Sequence, residues 1–328
     1  MNRRITFFFL LIALMITPVV SAQSEVDELQ ERVAELEETL ESLKKTADPE
    51  QLEELERRIE ILTREIESLK IERGEPAEAD EFDAGLGEAA SKIYRSGTGF
   101  SWGGYGEMIY ENYDSSRDDG VASGKTDQID FLRAIIYMGY KFNDWVLFNS
   151  EIEVEHADEI FVEFAYLDFM LRPEANIRAG MLLLPVGLVN ELHEPTAFLG
   201  AKRPFTESSI IPTTWRENGA GLYGEMGNFS YRAYVVNGLR GESFSSSGLR
   251  GGRQKGSKAL ADDFAFAGRL DWAPVEGVML GGSLYTGDSG QDLAVDASTQ
   301  ILELHADARL RGWWLRGLWA DASVDDVA

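Results

Sequence analysis

The sequence predicts an all-β protein, an antiparallel transmembrane β-barrel preceded by an α-helical coiled coil, and three observations predict it. From Gly99 onward, apolar and polar residues alternate with a period of two. The connections between the alternating segments are by turns short and long, as they are between the two mouths of a membrane barrel. Upstream of them, apolar residues recur in steps of three and four, the mark of a heptad seam.

The chain begins with an export pattern. Asn2, Arg3 and Arg4 are followed by an apolar run from Ile5 to Ile16, and "VSA" ending at Ala22 presents small residues for cleavage. The run is shorter than the ~20 residues that span a bilayer as a helix, so it reads as a cleaved signal peptide over 1–22. No later stretch approaches that length, and a membrane-inserted chain would have to cross as strands. The 328 residues include no cysteine, which excludes disulfide frameworks, zinc-thiolate sites and thiol nucleophiles together. A formal net charge of -26 argues against nucleic-acid binding, which draws on a surplus of Lys and Arg.

The heptad seam runs through Val26, Leu29, Val33, Leu36, Leu40 and Leu43, then resumes at Leu52, Leu55, Ile59, Leu62, Ile66 and Leu69. Between them, Asp48 and Pro49 suit an N-cap and a first helical position. The segment 23–73 is therefore a periplasmic coiled coil, either a stalk with a discontinuity or a helical hairpin. Residues 74–98, rich in Gly, Ala and Glu, read as a linker.

Strands are expected near 102–113, 127–142, 145–156, 160–171, 177–184, 219–226, 228–238, 264–272, 278–286, 300–311 and 313–320. "VLFNSEIEVEH" shows the pattern most clearly: Phe148, Ile152 and Val154 share one parity, Glu151, Glu153 and Glu155 the other. In a barrel the first row meets lipid and the second a water-filled lumen. Tyr140, Phe142 and Trp145 flank one tight turn, and Trp272, Trp313 and Trp314 lie near later ones, where an aromatic girdle would fall. Eleven strands is an odd number, whereas single-chain bacterial barrels close with an even one. The expectation is a barrel over 99–328 whose C-terminal strands are missing from this sequence.

By parity, Arg133, Arg178, Arg232, Arg269 and Arg309 join the three glutamates as candidate pore-lining residues. Glu163, Asp271, Glu303 and Asp307 give the interior a mixed charge. The basic stretch Arg250, Arg253, Lys255 and Lys258 lies among glycines and reads as a solvated loop. The histidines His156, His193 and His305 lack the helical H-E-x-x-H spacing of a zinc site. "ESSIIPTTW" and "GDSG" offer serines without a nearby histidine or a G-x-S-x-G elbow. No cofactor or metal is expected.

Three stretches, "SWGGYGEMIYENYD", "VEFAYLDFML" followed by "NIRAGMLLLPVGLVNELHEP", and "IIPTTWRENGAGLYGE", resemble the phosphate-selective porin O/P family of Gram-negative outer-membrane channels. The resemblance spans about Gly99 to Trp319. It implies sixteen strands in the complete barrel, a homotrimer, a long third loop folded inward as a constriction, and arginines lining the pore for anions. The connection Pro185–Asn218 occupies the place of that loop and carries Lys202, Arg203 and Arg216 as candidate constriction residues.

The expected function is passive diffusion of small hydrophilic solutes, with anions such as phosphate among them, through the outer membrane, and no catalysis. One alternative is a structural anchor that uses the coiled coil as a tether to a periplasmic or cell-wall partner. A second is an outer-membrane enzyme, which would depend on His193 or Ser208.

Overall fold

The computed structural model describes residues 86–246, 248–293 and 297–325; the expected signal peptide and coiled coil lie outside them. The alternating segments form β1 (Gly99–Glu111), β2 (Gln128–Asn143), β3 (Val146–Glu155), β4 (Glu159–Arg172), β5 (Ala175–Leu183), β6 (Arg216–Met226), β7 (Phe229–Asn237), β8 (Phe264–Val275), β9 (Val278–Asp288), β10 (Ser298–Leu310) and β11 (Trp313–Asp325). They make one sheet in strict sequence order, each strand beside its chain neighbours. The pairs from β1 to β7 are antiparallel throughout. The expected strands are all present, with ends displaced by a few residues.

The described residues divide into a larger unit, drawn from 86–271, 281–305 and 318–325, and a smaller one made by Trp272–Leu280 and Ala306–Gly317. In the smaller unit, Arg309 and Arg316 both stack on the Trp314 ring, at 4.3 and 4.4 Å. Asp307 accepts the Trp314 indole N–H at 3.0 Å and pairs with Arg316.

In the larger unit the two faces of the sheet differ as alternation requires. Trp102, Phe142, Trp145 and Ile136 are exposed on one face, while Leu147, Asn149, Glu151 and Glu153 are buried on the other. Strict parity fails at one informative place. Glu151 pairs with Phe164 and Ile152 with Val162, which leaves Glu163 of β4 without a partner in the ladder. This β-bulge turns Glu163 and Phe164 to the same side, and both are buried.

Two segments fill the space inside this unit. The first corrects the linker expectation: Glu88–Arg95 form helix α1. At eight residues it is too short to declare a period, and only packing reveals its apolar face. Leu86, Ala90 and Ile93 are buried, and Ile93 seats on Gly139, where a Cβ would lie 2.6 Å from it. The second is the long connection 184–215, which folds inward and contains a 3-10 turn at Pro195–Ala197 and one α-helical turn, α2 (Thr206–Ser209). Its Leu184, Val186, Ile211 and Trp215 join Tyr234, Tyr285 and Ile301 in the apolar core, with Trp215 and Tyr285 rings 4.6 Å apart. Arg216, expected on this loop, instead opens β6, because its backbone already pairs with Leu183.

Asn190 clamps the two feet of the loop. Its amide donates to the Leu184 and Trp215 carbonyls at 2.7 and 2.9 Å, and its oxygen accepts the Trp215 N–H at 2.8 Å. Gly187 enters the turn at φ +86, where a Cβ would meet Glu207 Oε1 at 2.6 Å. Replacing Asn190 by Ala would strand buried backbone groups, at about 1–3 kcal/mol for each group left unsatisfied. The Asn190→Ala protein is expected to melt well below the parent in detergent by circular dichroism, and an unchanged melting temperature would refute the clamp.

Candidate functional site

The inner face and the inward loop together hold three charged groups, each built from residues far apart in sequence. The first lies beside α1. Arg178 of β5 donates through Nε and Nη2 to the two oxygens of Asp168 at 2.8 and 2.9 Å, the bidentate fork that a guanidinium favours. Its plane lies over Tyr166 and Tyr223 at 4.3 and 4.6 Å. Tyr94 of α1 accepts from Arg178 at 2.9 Å and donates to Asp168 at 2.5 Å, and Tyr223 also donates to Asp168 at 2.8 Å. The helix is thereby pinned to the wall.

The second group joins β7, β8 and β10 to the loop. Asp271 receives Arg269 Nε at 2.7 Å and Arg232 Nη1 at 3.2 Å, and lies 2.8 Å from His305 Nε2. The other imidazole nitrogen is 2.8 Å from Glu303, which accepts from Ser283 at 2.7 Å. The loop enters through Glu191, 3.2 Å from Arg232 Nε, and through the Gly187 carbonyl, which receives Arg269 at 2.7 Å. Three carboxylates face two guanidiniums and the His305 imidazole here, and Arg269 Nη2 also lies 3.2 Å from the same imidazole Nε2.

The third group lies nearer the long-loop ends of β1 to β4. Arg133 bridges Glu107 at 3.0 Å and Glu153 at 3.2 Å, and Arg216 pairs with Glu163 at 2.7 Å. His193 of the loop reaches Glu151 at 3.1 Å, with both side chains almost fully buried. Next to it, Glu194 caps α1, accepting the Ala90 N–H at 3.4 Å, in the position where a carboxylate complements the helix dipole.

The sequence-predicted residues are therefore on the expected face, but their surroundings differ from the expectation. Glu151 and Glu153 are 0% and 4% exposed, so they do not line open water; the loop and α1 cover them and cations pair with them. Arg133, Arg178, Arg232 and Arg269 are likewise buried in pairs, while Glu155 is only partly covered at the strand end. Arg309 belongs to the smaller unit. On the loop, Lys202 is exposed and pairs with Glu111, and Arg203 donates to Thr214 Oγ1 at 2.6 Å. The stretch 250–258, expected as a solvated loop, turns partly inward, where Arg253 donates to the Thr214 carbonyl. His305, flanked in sequence by Glu303 and Asp307, meets Glu303 and Asp271 instead.

Burial sets the protonation of the loop groups. Loss of water raises Glu194 and Glu191 above the ordinary carboxylate range; for Glu191 the Arg232 guanidinium opposes the shift. Burial also opposes the charged form of His193, but the Glu151 carboxylate outweighs it and holds the imidazole above its ordinary value. Among the described residues, no cluster of His, Asp and Glu is arranged to hold a metal ion. Open space flanks α1: a cavity of about 550 Å³ is lined by Tyr94, Arg172, Asn176, Tyr223 and Arg232, and another of about 580 Å³ by Lys92, Tyr105, Glu107 and Glu194.

No family model matches the chain. An uncharacterized protein of Aquifex aeolicus (strain VF5) is 42% identical over 271 residues, which are 79% of this chain and 60% of the relative's length. The match thus spans less than two thirds of that protein. Among solved structures, the loop L8 deletion mutant of OmpT, an outer membrane protein of Vibrio cholerae, aligns with a TM-score of 0.35 and 8% identity over 70% of this chain and 84% of that one. In-vitro folded OmpT in its trimer form gives 0.34 and 10%, over 70% and 80%. The architecture described above rests on its own strand order and faces.

The His193–Glu151 pair has a pH signature. A raised folded-state pKa means that its stabilisation is fully present below the unfolded histidine value of about 6.5 and is lost as pH rises through the folded value. Removing one partner of a buried pair typically costs about 3–5 kcal/mol. His193→Ala is expected to lower stability at pH 6 by an amount of that order and to flatten the alkaline decline of the parent, as read by denaturant unfolding at several pH values. A parallel decline in both proteins would contradict the pairing.

Proposed function

We propose that the protein is an outer-membrane porin through which small hydrophilic solutes, including anions such as phosphate, diffuse passively, without catalysis. Its N-terminal segment faces the periplasm, and the complete protein assembles as a homotrimer in outer-membrane lipid. The observation that carries this reading is the division of one continuous sheet into an apolar face and a charged face. Trp102 and Ile129 are 69% and 72% exposed, whereas Glu151, Asp168, Arg178 and Glu303 are buried on the opposite side. A soluble sheet buries its apolar side and wets the charged one; this sheet does the reverse, as lipid requires.

The inward loop supports the sieving part of the reading. It is anchored at Gly187, Glu191, His193 and Glu194 to four different parts of the interior, so it narrows the space as a rigid obstacle. Solutes would pass beside it and through the spaces flanking α1.

A second reading, a structural anchor for a periplasmic tether, draws on a separate observation. Tyr94, Lys141 and Asn149 fasten α1 to the wall, so a pull on the chain upstream would be borne by the sheet.

The discriminating experiment places the detergent-purified full-length protein in a planar bilayer under a KCl gradient. Steady conductance supports the porin, and block by added phosphate extends it to an anion channel. Absence of current would reject the porin in favour of the anchor. The membrane part is tested by Ile136→Arg on the apolar face, which is expected to cost about 2–4 kcal/mol in lipid. The substitution should reduce the folded fraction in liposome refolding, and a neutral outcome would argue against lipid contact.

A further inference from the structure

The ion pairs of the inner face are not alike. Arg133, Arg178, Arg216, Arg232 and Arg269 answer Glu153, Asp168, Glu163, Glu191 and Asp271, and a guanidinium keeps its charge at any ordinary pH. Glu151 has no arginine: among the described residues, the cation within salt-bridge distance of it is His193, 3.1 Å away through Nε2. The contact is single on both sides, because Glu151 Oε2 and His193 Nδ1 are buried with no hydrogen-bond partner. Glu303 also pairs with a histidine, but His305 stands two residues along the same strand, so that pair ties nothing movable. His193–Glu151 ties a loop to the sheet.

The loop is held unevenly. Its two feet are fixed in the core: the Val189 N–H donates to Glu207 at 2.6 Å, Asn190 closes on Leu184 and Trp215, and Ile211 and Trp215 are fully buried. Between them, 192–205 form an arm that is exposed at Leu199 and Phe205. Its front is fastened by His193 and by Glu194, whose contacts from the Ala90 N–H and the Tyr137 hydroxyl are both long, at 3.4 Å. Its far end is fastened by the exposed Lys202 on Glu111 and by Arg203 on Thr214 Oγ1. The carboxylates that bear on the imidazole are Glu151 and Glu153 of β3, Glu163 of β4 and Glu194 of the arm. The cations among them are Arg203 of the arm, Arg133 of β2 on Glu153, and Arg216 of β6 on Glu163. None of these three lies within salt-bridge distance of Glu151, so no second cation is at hand when His193 loses its proton.

We propose that His193 is a pH-operated latch: as imidazolium it holds the arm 192–205 on Glu151, and as neutral imidazole it lets the arm lift and water reach the carboxylate. A fully buried carboxylate without a counter-charge is unstable, and rehydration relieves it. Burial works against the charged imidazole and the Glu151 carboxylate outweighs it, so the latch is closed below the ordinary histidine value of about 6.5 and opens as pH rises through a higher one. The effect on current rests on the pore reading: opening removes one positive charge from the interior and uncovers Glu151 and Glu194, which shifts ion preference toward cations.

Because the chain has no cysteine, spin labels can be placed without background at Leu199→Cys on the arm and at Asp144→Cys on the β2–β3 turn. In the full-length protein in detergent, a narrow distance distribution is expected at about pH 6 and a shifted, broader one at about pH 9. His193→Gln, which cannot take up a proton, should give the broad distribution at both, and His156→Gln, at an exposed site, should leave the parent's transition in place. A parent distance that is the same at both pH values, or a transition that His193→Gln retains, overturns the latch. In a planar bilayer under a KCl gradient, the parent's reversal potential should move toward cation preference between the same two pH values, with His193→Gln at the alkaline value throughout. A pH-driven distance change with no current in any variant would sink the pore reading and leave the latch standing.

Discussion

The inner face of this sheet carries charges that have left water, and the rest of the structure depends on pairing them. An isolated buried carboxylate or guanidinium costs several kcal/mol, which only close, hydrogen-bonded partners offset. A single strand cannot supply such partners, because its neighbours on one face are two residues apart and, in β3, carry the same sign. Glu151 and Glu153 illustrate the constraint. Their counter-charges come from the loop, at His193, and from the next strand, at Arg133. The inward loop is thus part of the wall's electrostatics as much as an obstacle within it.

That dependence explains why the loop is so firmly tied. Asn190 closes its feet, Arg269 holds the Gly187 carbonyl, and Glu194 caps α1. Each contact satisfies a polar group that would otherwise be buried alone, so releasing the loop would expose several unpaired groups together. Helix and loop are interlocked through Glu194 for the same reason: the orphan amides at the start of α1 and the buried carboxylate each answer the other's need.

Periodic features were legible in the sequence and long-range ones were not. The alternation of Leu147, Asn149, Glu151 and Glu153 against Phe148, Ile152 and Val154 placed β3 and its inner face correctly, because a pleat imposes period two on any half-buried strand. The same logic found the eleven strands and the inner-face arginines. It could not find the bulge at Glu163, since an inserted residue leaves no mark until the partner strand is known. Nor could it pair His305 with Asp271, 34 residues away, in preference to its near neighbour Asp307. α1 was hidden by its brevity, and Glu151 and Glu153 were assigned to open water because alternation distinguishes two faces without saying what covers either. The signal that pointed closest to the site was the length of the connection 184–215, whose apolar content is too high for a loop in solvent.

The pairing also bears on how charge could select solutes. Arginines on the inner face invite the idea of a ladder for anions, yet Arg133, Arg178, Arg232 and Arg269 each have a carboxylate within 3.2 Å, and Arg133 and Arg232 have two. At a distance of several ångströms the field of a cation so compensated falls off much faster than that of a lone charge. A count of inner-face arginines is therefore a poor guide to selectivity.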